Sequence, residues 1–140
     1  EGLTLQLMKA SGHSKGSLNI LFEEDKILFT ADSIPLKNDI PNYDSYPELM
    51  NTLETIKKQS SDLQMLLTSW TPPLTDKDEI EKIINEGEEY MRQIDGVVRE
   101  CYSDKNADSM VFCRMAVDKL GLPPFLVIPI VDKAFKSHLL

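Results

Sequence analysis

Scarcity narrows the class of this chain first. Its 140 residues include only two histidines, two cysteines and one tryptophan. Cys101 and Cys113 stand twelve residues apart in segments that read as helical, without the paired spacing of a structural metal site. They are expected to be free thiols, which suits a reducing, cytoplasmic compartment. Basic residues are outnumbered, 15 against 23 acidic, and the net charge of -8 repels nucleic acid and anionic membranes. No basic patch stands out beyond Lys57-Lys58. No apolar run approaches the roughly 20 residues of a membrane span. No basic-then-apolar leader opens the chain, and nothing argues for secretion. Glu1-Gly2 runs straight into a strand pattern without an initiating Met, so the chain is expected to be trimmed or one part of a longer protein. Internal repeats and low-complexity segments are absent.

What is present is two halves of different character. Leu3, Leu5 and Leu7 alternate with Thr4 and Gln6, the period-2 pattern of a strand with one buried face. Leu18 to Phe22 and Lys26 to Thr30 flank the acidic turn Glu23-Glu24-Asp25 and read as a hairpin. A loop punctuated by Pro35, Asn38-Asp39 and Pro41 follows. Ser45-Tyr46-Pro47-Glu48 opens a helix in which Ser45 caps, Glu48 returns the bond and Pro47 fits the first turn. Leu49, Leu53 and Ile56 carry that helix to about Lys58, and Gln64 to Leu67 makes a short strand.

After Thr75 the pattern becomes helical almost throughout. With Thr75 and Asp78 as a capping start, Ile80, Ile83, Ile84, Gly87, Met91, Ile94, Val98 and Cys101 share one face of a long helix. Asn106 to Leu120 reads as a second, ended by Gly121 and Pro123-Pro124. Phe125 to Leu140 reads as a third, bent or delayed by Pro129. The fold class is therefore α/β (α+β), with a strand-rich part over 1-74 and a helical extension over 75-140.

Two loops carry the chemistry. Ser11-Gly12-His13-Ser14-Lys15-Gly16-Ser17 follows the first strand, and Phe29-Thr30-Ala31-Asp32-Ser33 closes the hairpin. This order resembles the second half of the metallo-β-lactamase-fold hydrolases, where a Gly-His loop and a Thr-Gly-Asp-type turn each carry a metal ligand. His13 and Asp32, nineteen residues apart across a hairpin, match in type, spacing and local structure. The resemblance extends to about Pro73. It implies the C-terminal half of an αββα sandwich, zinc or another divalent metal as cofactor, and a small-molecule substrate. It also implies His13 and Asp32 as metal ligands, with Asp32 catalytic through bridging two metals or orienting the attacking hydroxide. Such a site needs neutral imidazole and carboxylate ligands on rigid strand ends, and Gly12 and Gly16 are expected to permit the tight path around His13.

The departures from that pattern set the expected activity. No His-x-His-x-Asp-His run is present, and Trp70 stands where the family's last histidine is expected; an indole nitrogen only donates and binds no metal in its place. A catalytic zinc takes three protein ligands plus water, so two ligands imply weak or absent metal binding. The chain alone is expected to be inactive, a portion of a hydrolase completed by an upstream half. The alternative is a non-catalytic module for self-association or partner binding. Its apolar faces imply a homodimer or packing against that upstream half. Trp70 is expected to close an apolar cluster, with a place in a substrate pocket as the second reading. His138 is expected on the helix surface, and Glu86, Glu88 and Glu89 on a solvated helix face. Ser33 is expected to be an ordinary turn residue, and the six methionines core filler.

Overall fold

The computed structural model describes residues 2-102 and 108-140. A four-stranded sheet runs in the order β1 (Leu5–Lys9), β2 (Leu18–Phe22), β3 (Ile27–Ala31) and β4 (Met65–Thr68). The first two pairings are antiparallel, while β3 and β4 are parallel and joined through α1 (Tyr46–Ser60). A parallel neighbour needs such a crossover because a tight turn cannot reverse the chain twice. The helical part comprises α2 (Lys77–Cys101), α3 (Ser109–Lys119) and α4 (Pro129–Lys136), with 3-10 turns at Pro124–Leu126 and Ser137–Leu139.

Helix ends follow local chemistry. Ser45 caps α1 by accepting from the Glu48 amide, with Pro47 in the first turn as expected. Glu48 does not return the bond. The Ser45 amide donates instead to the Gly12 carbonyl, and the Glu48 carboxylate takes the Ser11 hydroxyl. The cap of α2 is Asp76 rather than Thr75, its carboxylate accepting from the Asp78 and Glu79 amides at 3.0 and 3.1 Å. An ionised cap beside the positive end of a helix is the stronger acceptor. Asp108 caps α3; the expected start at Asn106 lies outside the described residues. Gly121, at φ +67°, ends that helix region as expected. Pro129 delays the third helix rather than bending it: after the 3-10 turn at Pro124–Leu126, α4 begins at Pro129, where a missing amide costs nothing.

One contiguous core joins the sheet to the helices. Leu28 and Leu66 face Leu49, Leu53 and Ile56 of α1, and the cluster continues through Ile80, Ile84, Met91, Ile94 and Val98 of α2 to Val131 and Phe135 of α4. Gly87 allows α2 to press on the loop after β3, since a β-carbon there would stand 2.9 Å from the Pro35 carbonyl oxygen. Of the six methionines only Met91 is fully buried, and Met115 is exposed.

The opposite face of the sheet is open. Register pairs Leu5 with Phe22, Leu7 with Ile20, Ile20 with Phe29 and Phe29 with Leu67, so these apolar side chains share one face. Leu7 is 61% exposed and Leu5 50%. The expected buried face of β1 is thus the uncovered one. The helix layer lies on the other side, where β1 turns only Gln6 and Met8 toward it, and Met8 packs partly against the core.

Candidate functional site

His13 owes its position to a close approach. Gly12 lies against the first turn of α1, and a β-carbon there would stand 2.2 Å from the Leu49 Cα, which any other residue would have to displace. The Gly12 carbonyl accepts from the amides of Asp44 and Ser45, and the His13 carbonyl from Asp44, so the loop is pinned to the start of α1. Its far side is closed by the Ser14 and Ser17 hydroxyls, 2.8 Å apart, and by the bond from the Ala10 amide to the Ser17 carbonyl. Gly16 has open space around it and no positive φ, so the tight path rests on Gly12 rather than on both glycines.

Asp32 is placed by a backbone irregularity. The register of β3 against β4 shifts between Phe29 and Ala31, and Ala31 adopts φ +47°, in the left-handed region. A residue with a β-carbon is strained there by about 1 kcal/mol or more. Past the shift only Ala31 still pairs, with Thr68, and the chain then turns Asp32 out of the sheet. Ser33 then closes the turn, its amide donating to the Thr30 carbonyl and its hydroxyl to the Asn19 side chain at 2.9 Å. It is a turn residue, as expected, although a buried one.

These two loops bring His13 and Asp32 together. His13 Nε2 lies 3.9 Å from Asp32 Oδ2, and both side chains are partly accessible. Asp32 Oδ1 is buried without a hydrogen-bonding partner. Such an acceptor is costly unless something completes it. The pair lies at a cavity of about 560 Å³ whose walls include Ile34, Ile40, Tyr43, Leu49 and Ile130. That is the size of an ordinary small-molecule site.

Trp70 also lines this cavity and is 66% exposed, so it does not close an apolar cluster. The Thr68 hydroxyl accepts from the Trp70 and Thr71 amides, and the resulting turn lifts the indole clear of the sheet. Among the described residues no group of three His, Cys, Asp or Glu side chains converges as a metal site.

The second histidine departs furthest from its expected place. His138 is 1% exposed, and its ring stacks on Tyr46 at 4.0 Å between centroids. Its Nδ1 lies 3.1 Å from Asp95 Oδ1, and its Nε2 lies 2.6 Å from the Tyr43 hydroxyl. An ionised carboxylate only accepts, so Nδ1 carries the proton and Nε2 accepts from Tyr43. Burial pushes the His138 pKa down to about 4, against the pull of Asp95. Burial works to raise Asp95 as well, but hydrogen bonds from Arg99 and His138 hold it below the usual carboxylate range. Burial, foremost, raises Tyr43 well above its ordinary value. Reading His138 as a surface residue followed from its neighbour Lys136; it failed because the last 3-10 turn folds its ring under α2.

No protein-family model matches the sequence, and no curated protein matches it. Solved structures do. The chain is similar to the metallo-beta-lactamase family protein TTHA1429 from Thermus thermophilus, with a TM-score of 0.64 and 15% identity over 96% of this chain and 41% of that one. It is also similar to a double mutant of the sec-alkyl sulfatase PisA1, with a TM-score of 0.63 and 13% identity over 97% of this chain and 23% of that one. The chain therefore spans less than half the length of either. At these identities the likeness concerns the fold, and the chain has the α+β architecture of the C-terminal portion of the metallo-β-lactamase fold.

Proposed function

We propose that this chain is a portion of a metal-dependent hydrolase in which His13 and Asp32 supply two ligands of a zinc-type centre, and that it is inactive alone. The observation that carries the reading is their convergence at 3.9 Å, with Asp32 Oδ1 buried and unpartnered, at the edge of one cavity. An imidazole nitrogen and a carboxylate suit zinc or another divalent ion. Two ligands do not complete a catalytic zinc site, so this chain by itself fits only part of one. The remaining ligands would come from an upstream half.

Bound at a completed site, a divalent ion supplies Lewis acidity and lowers the pKa of water. The chain's own contribution is positional. His13 is held by the Gly12–Leu49 contact, and the Ala31 turn places the partly accessible Asp32 carboxylate beside it, where it would hold the ion. The substrate is a small molecule. The open sheet face, carrying Leu5, Leu7, Leu18 and Phe29, supports packing against the upstream half or against a second copy of this chain.

The same open face, together with the exposed Trp70 in place of a ligand, favours one second reading: a non-catalytic module for self-association or partner binding. Turnover separates the two. The 140-residue chain is expected to show no chelator-sensitive hydrolysis, and joining it to an upstream half that carries the missing histidines is expected to produce it. Chelator-sensitive turnover by the chain alone would contradict the proposed incompleteness. A joined protein that folds, binds no metal and hydrolyses nothing would favour the module.

A further inference from the structure

We infer that the cavity beside His13 and Asp32 binds the apolar acyl or alkyl arm of a small substrate. The inference deepens the hydrolase reading and rests on it only for the reacting end. The walls carry the argument. Ile34, Ile40, Leu49, Tyr43, Ile128 and Ile130 surround the space, and Trp70 stands at its rim. Its polar side chains are His13, Asp32, Asp39 and Asn42, and among the described lining residues none is Lys or Arg. A site for a nucleotide or a sugar phosphate gathers cations or a nest of amides around the anion. This one gathers hydrocarbon, with two carboxylates that repel an anionic arm. About 560 Å³ lies in the middle of the range that accommodates small ligands.

The cavity is also built to keep its shape. Its loop wall, 34-43, and the start of α1 that follows it are tied to the end of the chain at three places. Tyr43 donates to the buried His138, Lys133 pairs with Asp44, and the Tyr46 amide donates to the Ser137 hydroxyl at 3.0 Å. These ties fix Ile128 and Ile130 opposite Ile34 and Ile40. The C-terminal helices therefore supply one wall of the site and with it the selectivity for the arm. An apolar ligand entering a preformed cavity pays little for loop ordering.

Trp70 is the sole tryptophan, so its fluorescence reports on this rim alone. The test titrates the 140-residue chain with octanamide, a neutral eight-carbon probe, and separately with adenosine monophosphate. The expected result is a saturable blue shift of Trp70 emission with octanamide and none with the nucleotide. Ile130→Asp and Ile40→Asp alter exposed wall residues, so folding is expected to survive, as circular dichroism would verify. Each should weaken octanamide at least tenfold. Leu7→Asp, on the open sheet face, should leave it within threefold. No saturable shift with octanamide, equal binding of the nucleotide, or binding that is lost with Leu7→Asp and kept in both folded wall variants would overturn the inference. Zinc binding that depends on His13 with no octanamide binding would defeat the arm alone; octanamide binding with equal zinc in the chain and in His13→Ala would defeat the metal reading alone.

Discussion

The two faces of the sheet are made from alternate residues of the same strands, yet they meet opposite fates. On the helix side Leu28 and Leu66 are wholly buried beneath α1. On the other side Leu5, Leu7, Leu18 and Phe29 stand in the open, although they are no less apolar. Apolar residues on both faces are the pattern of a sheet covered on both sides. This chain brings one cover, and its fold neighbours are more than twice its length. The open face is matched at the candidate site, where His13 and Asp32 approach each other and, among the described residues, no group of three His, Cys, Asp or Glu side chains converges.

The comparison is broken most directly by truncating one residue on each face. Leu28→Ala should cost about 3 kcal/mol, the usual penalty for a cavity in a packed core. Leu7→Ala should cost under about 0.5 kcal/mol in the monomeric chain. Urea denaturation measures both, and equal losses would mean that the open face is covered in solution.

Next in size is the acid sensitivity of the covered side. His138 has a folded pKa of about 4 against an ordinary 6.5, so between those values the unfolded chain binds the proton and the folded chain does not. Stability from this group is complete above about pH 6.5 and falls by roughly 1.4 kcal/mol per pH unit down to about pH 4. Asp95, held low by Arg99 and His138, acts in the same direction at still lower pH. His138→Phe should flatten that slope between about pH 6.5 and about pH 4, as denaturation across pH would register.

Self-association sharpens the contrast. At tens of micromolar the chain should scatter as a dimer or larger, and the double variant Leu5→Lys/Leu7→Lys should be monomeric. A wild-type monomer would show that the open face tolerates water.

The smallest expected effect is at Ala31. Its φ of +47° strains an alanine by about 1 kcal/mol or more, while glycine there costs less strain and more unfolded-state entropy. Ala31→Gly should stabilise the chain by about 0.5 kcal/mol, seen as a small rise in Tm.

Much of this architecture was legible because it is periodic. The hairpin, α1 with its Ser45 cap and the apolar face of α2 each follow from repeats of two or about 3.6 residues. The pairing of His13 with Asp32 was legible through the resemblance of their two loops to those of the metallo-β-lactamase-fold hydrolases. The remainder depends on contacts between distant residues, which periodicity does not encode. His138 joins Asp95 and Tyr43 from 43 and 95 positions away, and beside Lys136 it looked like a surface residue. Alternation in β1 located the leucine face without revealing whether anything covers it. Trp70 is lifted into view by the Thr68 hydroxyl, a side-chain bond that apolar patterning does not register.

The central claim, that His13 and Asp32 are two ligands of a divided metal site, is tested most directly by zinc titration of the chain and of its His13→Ala variant under identical conditions. Weak, saturable binding to the chain that disappears in the variant is the expected result. Equal zinc in both, with folding intact, would contradict it.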